Sequence, residues 1–145
     1  MEVSARRKWL RCRARLPISV KVLDEKNRRV WRGRGTTINL GGLGALIKVP
    51  GLSQELIENL IKEKYKLQLA LELPNIFWRI GIRAKVVWVE ELKRIPGKLG
   101  VVFENLSEEK ETRLVDFVEE RLSGEIVNHA FKRKLEKWFR GEEKK

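Results

Sequence analysis

The strongest constraint on the fold is a two-residue alternation that recurs along the chain in short runs. Leu67, Leu69, Leu71 and Leu73 alternate with Lys66, Gln68, Ala70 and Glu72. From Trp78 through Ile80, Ile82, Ala84 and Val86 to Trp88 the even positions are apolar, while Arg79, Arg83 and Lys85 take the other side. Successive side chains of a strand point to opposite faces, so each run predicts a strand with one apolar face and one wet one, and packing rather than solvent for Trp78 and Trp88. Ile18, Val20 and Val22 repeat the pattern after Pro17, and Leu99, Val101 and Phe103 repeat it after Pro96-Gly97. Between these runs lie a polar turn at Asp24-Glu25-Lys26-Asn27 and a glycine-softened arm carrying Val30-Trp31 and Thr36-Thr37-Ile38. Short strands, tight turns and no strand–helix–strand rhythm predict an antiparallel barrel or sandwich.

Helices enter at three places. Ser53 is placed to cap a short helix that carries Leu56, Ile57, Leu60 and Ile61 on one face. Ser107, followed by Glu108 and Glu109, starts a second, whose Leu114, Phe117, Val118 and Leu122 form an apolar stripe. Ser123-Gly124 predicts a break, after which Val127, Phe131, Leu135 and Trp138 mark an additional amphipathic helix over about Glu125 to Arg140.

A chain of 145 residues with 42% apolar content suits one folded domain. Its formal net charge of +12 attracts anions: nucleotides, nucleic acid or an acidic membrane. Much of that charge is concentrated in Arg6-Arg7-Lys8-Trp9-Leu10-Arg11-Cys12-Arg13-Ala14-Arg15, which contains no acid. Arginine, with its planar fork of donors, grips phosphate in two places and stacks on flat rings. A flexible basic arm is the alternative reading of such a run.

Chemistry by the chain itself finds little support. His129 is the one histidine, in a predicted terminal helix, so neither a catalytic triad nor a histidine metal centre is indicated. Cys12 is the one cysteine, which excludes an intramolecular disulfide and fits a reducing cytoplasm. No run approaches the roughly 18 apolar residues that span a bilayer. The expectation is a cytoplasmic binding protein, not an enzyme, without metal or cofactor.

Two motifs are more specific together than apart. Arg7 and Arg11 are spaced Arg-x-x-x-Arg ahead of a strand that begins Leu-Pro, and Asn39, Gly41 and Gly44 form an Asn-x-Gly-x-x-Gly turn between later strands. With Leu99-Gly100-Val101-Val102-Phe103 and the helix that follows, these resemble the PilZ domain, over roughly residues 6 to 122. The hallmarks of that family are Arg-x-x-x-Arg and Asp/Asn-x-Ser-x-x-Gly, and its ligand is the bacterial second messenger cyclic di-GMP. The resemblance implies a six-stranded antiparallel β-barrel with a C-terminal helix, here followed by the additional amphipathic helix. It divides the chain into a PilZ-like domain with an arginine-rich switch arm, residues 1–122, and a C-terminal helix with a charged tail, residues 123–145.

It also implies a site. Arg7 and Arg11, helped by Arg6, would neutralise phosphate, stack on a purine or address guanine O6 and N7. The oxygen of Asn39 would accept from a guanine edge, and Gly41 to Gly44 would let the ligand lie against main-chain amides. One residue departs from the pattern: Gly41 stands where the family has serine, and a lost hydrogen bond of ~0.5–1.5 kcal/mol would weaken binding. The resulting expectation is a cyclic di-GMP receptor that passes its signal to an effector protein, with oligomerisation through the C-terminal helix a further role for that element. The alternatives are a degenerate PilZ adaptor, suggested by Gly41, and a basic nucleic-acid-binding barrel, suggested by the charge and by Arg79, Arg83 and Lys85.

Overall fold

The computed structural model describes residues 8–74, 79–91 and 96–140, with side chains left undescribed at 91, 96 and 125–140. Arg6, Arg7 and Trp78 therefore lie outside the described residues, as do the side chains of His129 and Trp138.

The alternating runs form a barrel. Its strands are β2 (Pro17–Leu23), β3 (Arg29–Gly41), β4 (Gly44–Lys48), β5 (Lys66–Leu71), β6 (Ile80–Glu91) and β7 (Pro96–Glu104), all paired antiparallel. They run in the order β3-β2-β5-β6-β7-β4, and β4 returns to β3 to close the sheet. The apolar face of each strand points inward: Ile18, Val20, Val22, Leu67, Leu69 and Leu71 are buried, and Ile47, Ile82 and Leu99 meet them from the other strands. A short helix α1 (Gln54–Ile61) adds Ile57 and Leu60 to this core. Ser53 caps it, its hydroxyl accepting from the Leu56 amide at 3.2 Å.

A seventh strand, β1 (Arg11–Arg13), lies outside the ring. It has a place to dock because β3 is longer than its neighbour needs: Arg29–Thr36 pair with β2, leaving Asn39–Gly41 for β1. Cys12, Ala14 and Leu16 turn inward and are buried, whereas Arg11, Arg13 and Arg15 turn outward. The arginine-rich stretch is thus a docked strand from Arg11 onward rather than a free arm. Buried Thr37 fixes the passage from β1 to β2: its hydroxyl donates to the Ala14 carbonyl and accepts from the Leu16 amide at 2.8 Å, while its own amide donates to Leu16 O at 2.9 Å.

The second helix, α2 (Glu108–Arg140), seals one end of the barrel with Leu114, Val115 and Val118 and touches β1 and β3. Ser107 caps it through the Lys110 amide at 3.2 Å. It runs on without the break expected at Ser123-Gly124, for 33 residues in all. One glycine inside a helix costs only about 1 kcal/mol relative to alanine, which the turns on either side outweigh. The boundary drawn at 122/123 therefore falls within a continuous helix.

Trp88 also departs from its expected packing. A bulge between Val86 and Trp88 shifts the register against β7, so the alternation slips, and Val87 and Trp88 are both exposed, at 57% and 51%.

Candidate functional site

Strand pairing brings Arg11, the second arginine of the first motif, beside the second motif. Arg11 stands opposite Gly41 and Arg13 opposite Asn39 across β1 and β3. Directly opposed residues share a face of the sheet, so Arg11, Arg13, Asn39 and Gly41 lie on one outward surface, with Arg15 at the next outward position along the chain.

Asn39 sits at an irregularity. The β3–β4 register shifts between Thr37 and Asn39, and the Leu46 amide donates to Asn39 Oδ1 at 3.1 Å. An N–H can only donate, which fixes the facing side-chain atom as oxygen. The oxygen expected to read a guanine is therefore engaged within the protein. What the side chain still offers a ligand is its amide Nδ2, a donor suited to phosphate oxygen or to guanine O6, beside the second lone pair of Oδ1.

The glycines of the turn serve contact rather than unusual backbone angles. None of Gly41, Gly42 and Gly44 has positive φ; the left-handed glycine among the described residues is Gly51, at φ 85°. A β-carbon on Gly44 would stand 2.1 Å from Val101 O, so this residue lets β4 close on β7. One on Gly41 would stand 2.8 Å from Leu10 O, so that residue admits the chain leading into β1. The backbone next to Gly41, expected to lie bare for a ligand, is covered by the protein's own N-terminal strand. Lys8 adds a tie from the same segment to α2, its Nζ 2.8 Å from Glu111 Oε1.

Beside this surface a cleft of about 1100 Å³ opens between β1, β3 and α2. Arg13, Arg15, Lys98 and Asn39 form one side of its lining, and Ile38, Leu73 and Pro74 supply apolar surface. The opposite side is α2, which presents Arg113 and Phe117 with Arg121, whose guanidinium carbon lies 5.5 Å from the Phe117 ring centroid. Arg113 is paired with Glu109 at 2.7 Å. Arg13, Arg15 and Lys98 pair with no described carboxylate. Uncompensated cations converging on a concave surface of this size suit a multiply charged anion with flat rings.

Arg13, Arg15 and Lys98 were not among the residues expected from the motifs. A signal for the first two was present: Cys12, Ala14 and Leu16 extend the inward alternation of Ile18 and Val20 backward, which turns every arginine between them outward.

The wall of Arg79, Arg83 and Lys85 is more nearly neutral. Arg79 is held by Glu72 at 2.9 Å and Lys85 by Glu63 at 2.7 Å, an ion pair that raises the lysine's pKa.

The model of the PilZ domain matches residues 5–120. The chain belongs to the PilZ domain family. This is a family of cyclic di-GMP receptors and adaptors, binding domains rather than enzymes. No curated protein matches the sequence. Among solved structures, the Bacillus subtilis inhibitor of motility MotI/DgrA is similar with a TM-score of 0.59 at 18% identity, over 83% of this chain and 53% of that one. YcgR from Escherichia coli, solved in complex with c-di-GMP, is similar with a TM-score of 0.56 at 19% identity, over 88% of this chain and 50% of that one. At these identities the likeness is one of fold, and the chain spans about half the length of either protein. No described helix is long and apolar enough to cross a membrane.

Proposed function

We propose that this chain binds cyclic di-GMP on the surface where β1 meets β3, and that occupancy is passed to an effector protein. The observation that carries the reading is the β1–β3 register, which sets Arg11 across from Gly41 and Arg13 across from Asn39. Stretches distant in sequence, Arg11–Arg13 and Asn39–Gly41, become neighbours, with forked cations beside an amide donor and an anion-attracting cleft. Arg11, with Arg6 and Arg7 from the segment just before it, takes phosphate or stacks on guanine, Asn39 donates from Nδ2, and Gly41 and Gly44 hold the strands close enough to shape the surface. Because the segment ahead of β1 carries the cations, a bound dinucleotide ties it to the barrel and alters the surface that a cytoplasmic partner meets. The C-terminal part of α2 is a place for that partner, or for a second copy, to dock. The activity is binding, with no cofactor and no chemistry on the ligand.

A nucleic-acid-binding barrel is the alternative that the +12 charge supports, although two of the three cations on its supposed wall are ion-paired. Calorimetric titration at two salt concentrations separates the readings. A strand engaging many phosphates loses about 0.7–0.9 log units of affinity per contacted phosphate per tenfold salt. Cyclic di-GMP carries two phosphates, so binding with a shallow salt response is expected, together with a clear preference over cyclic di-AMP. Tight, salt-sensitive binding of DNA or RNA with no binding of cyclic di-GMP at millimolar ligand contradicts the receptor reading. Absence of both leaves the adaptor role.

A further inference from the structure

The cleft beside the motif surface has a wall that neither motif includes. Leu114, Val115 and Val118 of α2 are buried against the barrel, whereas Arg113, Asp116, Phe117, Glu120 and Arg121 line the cleft. Residues three and four apart share a side of a helix, so these form one continuous stripe facing Arg13, Arg15 and Lys98.

Carboxylates are out of place in a site for phosphate alone, because each repels the anion its neighbours attract. Glu120 is the more telling of the two. It is exposed in the cleft and makes no ion pair or hydrogen bond with any described residue, whereas Asp116 has an interaction within the protein. An ionised carboxylate only accepts hydrogen bonds, so Glu120 matches a ligand that brings donors along with its negative charge. Guanine does so: N1–H and the N2 amine stand side by side on its Watson–Crick edge, spaced for the two oxygens of one carboxylate. Adenine offers an unprotonated N1 at the same place and is repelled.

We propose that Glu120 is the guanine-reading residue of the site, accepting from N1–H and N2–H while Arg13, Arg15 and Lys98 hold the phosphates of the same dinucleotide. Part of the selectivity for guanine is then set by α2, outside both sequence motifs, and the base bridges the barrel and the helix. The proposal rests on the reading that the chain binds cyclic di-GMP.

The sign of one substitution decides it. Glu120→Gln keeps the shape, removes a negative charge beside an anionic ligand and replaces one acceptor by a donor. If Glu120 merely faces the ligand, losing its charge tightens binding of any cyclic dinucleotide. If it reads guanine, calorimetry shows cyclic di-GMP weakened about tenfold while cyclic di-AMP binds as before or more tightly. Glu119→Gln removes the same charge from the neighbouring residue of α2, outside the cleft lining, and serves as the control, expected to weaken neither ligand; circular dichroism verifies both folds. Wild-type binding of cyclic di-GMP with Glu120→Gln equal or tighter overturns the role of Glu120 alone, as does an equal loss in Glu119→Gln. Failure of the wild type to bind cyclic di-GMP overturns the receptor reading and this proposal together.

Discussion

Arg11 and Gly41 lie directly across from one another on β1 and β3, and the carbonyl oxygen of Leu10 stands 2.8 Å from where a β-carbon on Gly41 would be. The family's serine is therefore absent where it has no room. Gly41→Ser has to push backbone, which unlike the end of a flexible side chain does not yield cheaply. Overpacking of this kind costs about 1–3 kcal/mol. The expected outcome is faster amide exchange across Arg11–Arg13, a melting temperature lowered by several degrees, and no gain in cyclic di-GMP affinity. Unchanged exchange with tighter binding would show instead that the missing hydroxyl is the defect.

Thr37 anchors the junction of β1 and β2 through Ala14 O and the Leu16 amide. Thr37→Val keeps the shape but leaves that buried amide without its acceptor. An unsatisfied buried group costs about 1–3 kcal/mol. Urea unfolding should show a loss of that size with the slope unchanged, and faster exchange at Leu16. A midpoint equal to wild type means that water replaces the hydroxyl.

Much of the barrel was legible because its strands each bury one face, which writes the fold into the sequence as alternation. Ile80, Ile82, Ala84 and Val86 follow that rule, and it fails at Trp88, where a bulge changes the count by one residue. Bulges arise from pairing with another strand and leave no local mark. A flexible-arm reading misses the docking from Arg11 onward for a different reason: charge dominates the look of residues 11–15 and masks the inward positions of Cys12, Ala14 and Leu16. Asn39 was found by its motif, but the atom it offers depends on the β3–β4 register, which sequence does not reveal. The cleft joins β1, β3, β7 and α2, so no single stretch announces it.

Gly124 lies inside α2, and a β-carbon added there meets nothing within 4 Å. Gly124→Ala should therefore stabilise the helix by about 1 kcal/mol. For a domain of this size that raises the melting temperature by about 2–4 °C. Calorimetric scans check it, and a lowered melting temperature would mean that α2 needs a flexible point at this residue.

The central claim is that the face shared by β1 and β3 holds cyclic di-GMP, and titrating wild type and Arg11→Ala side by side tests it most directly. Arg11 is exposed on β1 and contributes no side chain to the core, so the variant should fold as the wild type does. Hydrogen bonds from a charged group contribute about 1.5–3 kcal/mol, so the variant should bind cyclic di-GMP at least about tenfold more weakly. Equal affinity in the two proteins, with the fold verified by circular dichroism, would contradict the assignment of the ligand to this face.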